Sequence, residues 1–171
     1  MNAIRVSSIQ AEGDKIVVGR LLPGTDLITG ILKICKENNL EFGNIITIIG
    51  SLSKARFVCA TPDNCSKIGI KYGDPIVIQG PLEFLCGQGL IGMSDDEERA
   101  IHLHGVLCDK DVKFYAGHFI QGGNIVLATM EVVIQKLKKI KLIRSFDQET
   151  GFPVFNPKPY NKKIKHQVSK K

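Results

Sequence analysis

Three of the four histidines in this chain lie within one short apolar stretch, IHLHGVLCDKDVKFYAGHF, residues 101–119. One residue separates His102 from His104, and His118 follows near the end of the stretch. Since side chains alternate along a strand, His102 and His104 point to the same face, about 6 to 7 Å apart at Cα. Two imidazoles at that separation can bind one ion, so the pair predicts the start of a metal site.

Whether His118 joins the pair depends on how its strand pairs with the first one. If Cys108 pairs with Lys113 across a four-residue loop, His118 faces away from the other two histidines. A loop one residue shorter or longer, or a β-bulge, sets His118 opposite His102 or His104 instead. The metal site therefore requires either an odd-length turn around the segment DKDV or a β-bulge.

Three imidazoles without a fourth protein ligand are typical of one divalent metal per chain, best matched by Zn²⁺ with water in the open position. Metal binds neutral imidazole, so affinity should fall as the pH drops below about 6.5. His166 is expected to take no part. The alternative is that two of the three histidines are half-exposed strand residues and the third is a hydrogen-bonded core residue. The sequence offers no catalytic residue, because it contains no nucleophile-base pair and no phosphate-binding glycine motif.

The composition, 43% hydrophobic and 23% charged over 171 residues, is that of one globular domain with a real core. No apolar run approaches the roughly 18 residues of a membrane helix, and the start lacks a secretory signal, so a cytoplasmic protein without a membrane partner is expected. Five scattered cysteines without C-x-x-C spacing predict reduced thiols. Residues 136–171 hold eleven Lys/Arg against two acids, a balance of +9, and this basic tail is a possible DNA contact.

The segment from Lys15 to Ala60 predicts a strand, a helix and two further strands. Pro23 and Gly24 mark the first turn, and Thr25 or Asp26 can cap the helix. Apolar residues then recur at helical spacing, and these are Leu27, Ile28, Ile31, Leu32 and Cys35. The segment NIITIIG, residues 44–50, predicts a buried strand that ends in a Gly50-Ser51 turn.

The rest of the chain predicts strands. Residues 61–73 form either a long loop or a poorly formed hairpin, and the Gly80-Pro81 pair breaks the next strand in two. Three strands, about 100–108, 113–120 and 125–136, then follow as a meander with a tight Gly-Gly hairpin between the last two. In that hairpin Glu131 lies opposite Phe114. An ion pair with Arg20, a subunit contact or an edge position open to water would explain this carboxylate.

Together these elements predict an α+β fold, a largely antiparallel sheet with one main helix packed on it. The ordered set of segments RLLPGTDL, IITIIGSLSKARF, HLHGVLCD, AGHF and ATMEVVI resembles the plant-and-prokaryote-conserved (PPC) domain over residues 14–136. Residues 1–13 are then an N-terminal segment and residues 137–171 a basic extension, with order expected to fade beyond about residue 155.

The resemblance to the PPC domain implies a homotrimer and a metal-binding histidine cluster at His102, His104 and His118. It also implies a DNA-associated or regulatory protein, although the Arg-Gly-Arg-Pro element that precedes this domain in plant nuclear proteins is missing here. The alternative is a metal-dependent enzyme or a sensor, in which the open metal position binds a small anionic ligand. Whether the protein is an enzyme stays open at this point.

Overall fold

The computed structural model describes residues 8–160, which form one helix and ten strands. In chain order the elements are β1 (Glu12–Leu21), α1 (Leu27–Glu37), β2 (Gly43–Val58), β3 (Ala60–Pro62), β4 (Ile70–Tyr72), β5 (Ile76–Ser94), β6 (Arg99–Cys108), β7 (Phe114–Phe119), β8 (Ile125–Lys138), β9 (Ile140–Phe146) and β10 (Pro153–Pro159). This is mostly β-sheet with a single short helix, as in the predicted arrangement of a sheet with one main helix.

Helix α1 begins where its sequence predicts. Asp26 is the N-cap, and its carboxylate accepts a hydrogen bond from the backbone N–H of Thr29 at 3.1 Å. Asn38 caps the other end. The helix buries one face, which consists of Leu27, Ile28, Gly30, Ile31 and Cys35. Because residues three and four apart share a helix face, this burial follows directly from the apolar spacing.

The main sheet has eight strands in the order β1-β8-β2-β7-β6-β5-β9-β10. Strand β2 also pairs with β5, so β2, β5, β6 and β7 close on one another. The pairing is antiparallel throughout, apart from a short parallel contact between β5 and β9. Helix α1 and the inner face of these strands bury one continuous core, in which Ile48, Phe84 and Leu103 are almost fully enclosed. The predicted largely antiparallel sheet is thus confirmed.

The predicted meander of β6, β7 and β8 is wrong in its second half. Strands β7 and β8 do not pair, because β2 lies between them. The buried Asn124 explains this: its side chain accepts from the backbone N–H of Arg56 on β2 at 2.6 Å and donates to the carbonyl of Ile120 at 2.7 Å. The Asp26 carboxylate accepts the Asn124 N–H at 3.0 Å. The Gly122-Gly123 segment is therefore tied to β2 and to the helix N-terminus.

Two positions predicted to end strands lie inside continuous strands instead. Strand β2 runs through Gly50, and β5 runs through Gly80 and Pro81. At both glycines a neighbouring backbone leaves no room for a side chain. A Cβ would stand 2.2 Å from the Thr129 carbonyl oxygen at Gly50 and 2.5 Å from that of Leu52 at Gly80. These glycines permit close backbone contact between strands rather than a turn.

Strands β9 and β10 belong to the C-terminal extension and continue the sheet beyond β5. They pair along their whole length, from Ile140 opposite Pro159 to Phe146 opposite Pro153. Residues 156–159 lie in strand β10, within the extension where order was expected to fade from about residue 155. Residues 161–171, the rest of the basic tail, lie outside the described residues.

Glycines on three adjacent strands make room for aromatic rings on the core side of the sheet. Gly87 pairs with Gly105, and Gly105 pairs with Gly117. A Cβ at Gly105 would stand 2.5 Å from Cζ of Phe84 and 3.1 Å from Cε2 of Phe119. The two rings pack edge to face with their centroids 5.2 Å apart. This aromatic layer supports β6 and β7 from below, while the histidines occupy the opposite face.

Candidate metal centre

A five-residue loop, residues 109–113, joins β6 to β7 and sets their register. Asp109 organises this loop. One carboxylate oxygen accepts from the backbone N–H groups of Asp111 at 2.9 Å and Lys113 at 3.0 Å, and the other accepts from the Tyr115 hydroxyl at 3.0 Å. Led by the bond from Lys113, these contacts hold the pKa of the Asp109 carboxyl below its usual value.

The loop has the odd length that the metal site requires. Within it, Val112 adopts a φ of 59°, a left-handed conformation that is uncommon for a β-branched residue. Cys108 therefore pairs with Phe114 rather than with Lys113, and His104 pairs directly with His118. Residues that face each other in an antiparallel pair share a face of the sheet, so all three histidines of the segment lie on one side.

The three imidazoles form one cluster. The Nε2 atoms of His102 and His104 are 3.1 Å apart. The ring centroid of His118 lies 4.9 Å from that of His102 and 5.3 Å from that of His104. One ring nitrogen of each residue can be chosen so that all lie within 4.8 Å of one another. Nitrogens that ligate a tetrahedral zinc at about 2.0 to 2.1 Å are separated by about 3.3 Å, so small ring rotations would complete a shared site.

His118 lies on the outer face of the sheet and is nevertheless buried, with 7% of its surface exposed. The ring of Tyr72, on strand β4, covers it at a centroid distance of 5.2 Å. Its Nδ1 atom is buried and has no hydrogen-bond partner among the described residues. A buried polar nitrogen without a partner is costly, at about 1 to 3 kcal/mol, and coordination to a cation would satisfy it. The three imidazoles and the unpaired Nδ1 of His118 are therefore both consistent with a metal site.

The electrostatics of the cluster favour neutral imidazoles. Burial, and then the neighbouring His102, His104 and Arg144, lower the pKa of His118 to about 4. Burial, followed by His104 and Arg144, also lowers the pKa of His102. Neutral imidazole is the form that binds metal, so these two residues remain competent ligands at and below neutral pH.

Glu131 lies outside the cluster. It is exposed on β8, opposite Arg20 of β1 and Ile49 of β2, and not opposite Phe114 as the hairpin register predicted. Strand β8 is an inner strand of the sheet, which excludes the alternative of an edge position. The Arg20 guanidinium donates to the hydroxyl of Thr129 at 2.9 Å. Neither residue takes part in the histidine site.

A cavity of about 490 Å³ adjoins the cluster, with His102 and His118 among its lining residues. One wall comes from residues 60–72, which form the β3–β4 hairpin, one of the two interpretations left open by the sequence. The other wall comes from β9, β10 and the turn between them, and includes Arg144 and Phe152. Sequence reasoning missed these wall residues, since nothing local to the segment RSFDQETGF places it over the histidines.

Comparison with known proteins agrees with this fold. The family model of the Plants and Prokaryotes Conserved (PCC) domain, called PPC above, matches residues 8–138. The chain belongs to the PPC family. The domain predicted at residues 14–136 falls within the matched range. Strands β9 and β10 lie beyond it, so one wall of the cavity is built by residues outside the PPC match.

Individual relatives share this domain at low identity. The metal-containing protein AF0104 of Archaeoglobus fulgidus is 26% identical, with a TM-score of 0.74 over 88% of this chain and 99% of that one. A Bacteroides thetaiotaomicron structure, described as a candidate DNA-binding protein, is 17% identical with a TM-score of 0.67, over 85% of this chain and 96% of that one, and shows the fold alone. The bifunctional protein GlmU of a Synechococcus strain is 26% identical over 138 residues. Those residues are 81% of this chain, which spans about a fifth of the length of that relative.

Proposed function

We propose that this PPC protein binds one divalent metal ion per chain through His102, His104 and His118. Zn²⁺ is the best match, since three neutral imidazoles and one open position suit its tetrahedral preference. The observation that carries the proposal is the cluster itself, with ring nitrogens of the three residues within 4.8 Å of one another. The buried Nδ1 of His118 and the metal content of the Archaeoglobus relative support it.

Metal binding should raise thermal stability measurably. Zinc at 100 times its dissociation constant stabilises the bound form by about 2.7 kcal/mol. For a domain of this size that corresponds to a rise in Tm of about 5 to 10 °C. The test is elemental analysis of protein purified without chelator, combined with melting curves of stripped protein with and without added zinc. Protein that carries no metal, and whose Tm zinc leaves unchanged, would refute the proposal.

We also propose that the protein assembles as a trimer, as the family resemblance implies. The edge strand β1 exposes large apolar side chains, with Ile16 at 60% and Val18 at 74%, and an exposed strand edge of this kind favours association. Sedimentation equilibrium at micromolar concentration should give about three times the chain mass. A monomer under those conditions would exclude the trimer.

Association with DNA is a second candidate function. The eleven Lys/Arg from residue 136 onwards support it. Because phosphate contacts release counterions, the affinity for a mixed-sequence duplex should fall steeply with salt.

The described residues also contain no helix that could span a membrane.

The basic tail provides the variant for this test. Deletion of residues 161–171 removes five lysines and leaves β10 intact. It should reduce the slope of log affinity against log salt by about 0.9 for each phosphate that the tail neutralises in the full-length protein. A full-length variant with the same five lysines replaced by glutamine controls for chain length. An unchanged slope in both variants would show that the tail does not contribute to DNA binding.

A further inference from the structure

The cavity beside the histidine cluster has the size of a small-molecule site. Its volume of about 490 Å³ falls within the range of about 300 to 1,000 Å³ that is usual for such sites. Its lining runs continuously from two of the proposed metal ligands, His102 and His118, to Tyr72 and Phe152. A molecule held there would lie beside a metal bound by these histidines.

The charged groups of this cavity are cationic. Arg144 and Lys71 line it, and none of its described lining residues is acidic. The Lys71 ammonium lies 3.9 Å from the Asp63 carboxylate, so its charge is partly balanced. The Nε atom of Arg144 donates to the carbonyl of Pro153 at 3.5 Å, which places the guanidinium at the start of β10. A guanidinium beside a divalent ion favours an anion, and its planar fork suits a carboxylate.

The remaining walls are apolar. Aliphatic side chains from the hairpin and from β10, among them Ile70 and Val154, face the cavity together with the rings of Tyr72 and Phe152. These two rings pack edge to face at 5.6 Å and connect the two walls. Such a lining stabilises the apolar body of a ligand. A small hydrophilic anion would leave the apolar walls in contact with water.

A second depression of about 350 Å³ also adjoins the cluster, and it lacks these features. It is lined by Asn44, Gln88, Gly89, Leu90, His102 and His104. This lining includes no arginine or lysine to pair with an anion. The cationic side chains and the apolar walls therefore indicate that the larger cavity, rather than this depression, is the site for an anionic ligand.

We propose that this cavity binds a small organic monocarboxylate. Its carboxylate contacts the metal and Arg144, and its apolar body lies between the β3–β4 hairpin and the β9–β10 turn. This inference rests on the proposed metal site and adds the class of ligand that its open position takes. Since β9 and β10 lie beyond residues 8–138, one wall of this ligand site, which includes Arg144, comes from the part of this chain outside the PPC match.

Calorimetry on the full-length zinc-loaded protein tests the proposal with three probes. Phenylacetate should bind at least about tenfold more tightly than acetate, which has the same carboxylate without the apolar body. It should also bind at least about tenfold more tightly than phenylacetamide, which has the body without the charge. With Co²⁺ in place of Zn²⁺, phenylacetate should change the visible spectrum of the metal, and phenylacetamide should not.

Two matched variants locate the carboxylate. Arg144→Gln should weaken phenylacetate binding about tenfold or more. Lys141→Gln removes the same charge from the same strand, at an exposed position outside the cavity lining and three residues away, and should leave binding unchanged. Equal effects of the two variants would overturn the proposal. The three probes on the unmodified protein decide the matter even if Arg144→Gln fails to fold.

The zinc content of each sample separates the two proposals. Protein that holds zinc but binds phenylacetate no better than acetate or phenylacetamide overturns the carboxylate site and leaves the metal site standing. Protein that holds no zinc overturns both. A peptide that ends in a phenylalanine carboxylate offers the same chemistry from a chain terminus. If it binds more tightly than phenylacetate, the small-molecule assignment is wrong.

Discussion

Replacement of His104 by alanine should lower the affinity for zinc by about 100-fold or more. Loss of a residue that only supports a metal ligand typically costs 10 to 100-fold, and His104 is proposed as a ligand itself. His104 is exposed, and its Nε2 lies 3.1 Å from that of His102, so alanine removes a ligand without opening the core. Competition with a chromophoric chelator measures the affinity. Elemental analysis of the purified variant gives its metal content.

The other histidines complete this test. His118→Ala and His102→Ala should show losses of similar size, although His118→Ala also removes the ring that packs under Tyr72. The melting temperature of each variant without metal separates loss of the site from loss of the fold. His166→Ala, at the fourth histidine, is the matched control and should keep full zinc content. Equal zinc affinity in the unmodified protein and in His104→Ala would exclude the three-histidine site.

Zinc binding should persist well below pH 6.5, the ordinary pKa of histidine. Burial, and then the neighbouring His102, His104 and Arg144, lower the pKa of His118 to about 4, and burial also lowers that of His102. Protons displace a metal only where they protonate its ligands, so competition at these two residues begins at lower pH than at free imidazole. The structure thus moves the fall in affinity expected from the sequence to lower pH.

Zinc retained after dialysis over a series of pH values measures this effect, and release with a midpoint at or above about pH 6.5 would contradict it. The metal-free protein provides an independent reading. Between pH 6.5 and about 4 the unfolded chain binds a proton at residue 118 that the folded chain does not. The free energy of unfolding of the metal-free protein should therefore decrease as the pH falls through this window. An unchanged value there would mean that His118 is not buried as described.

The features that the sequence determined by itself are local. The capping side chain of Asp26 and the apolar spacing from Leu27 to Cys35 define helix α1, because a helix face and a cap depend on residues within three or four positions. The same holds for the one-residue spacing of His102 and His104, which places two imidazoles on one strand face. The resemblance of the ordered segments to the PPC domain led us to expect that His118 joins this pair.

Tertiary structure decided whether that third histidine could reach the pair. The answer depended on the length of the loop between β6 and β7, which has five residues, 109–113, rather than four. Within this loop, Val112 takes a left-handed conformation that its side chain disfavours. The carboxylate of Asp109 holds the loop in that shape through three hydrogen bonds. Because a shift of one residue turns every side chain of a strand to the other face, this detail determines whether the cluster exists.

Longer-range features were beyond the reach of the sequence. Asn124 ties its turn to Arg56, 68 residues earlier in the chain, which allows β2 to lie between β7 and β8. The cavity joins a hairpin that ends at Tyr72 to an arginine 72 positions later, Arg144. Neither contact leaves a local pattern, because its partners have ordinary neighbours in the sequence. They meet only because pairing of the intervening strands brings them to one face of the sheet, and that pairing is a property of the whole chain.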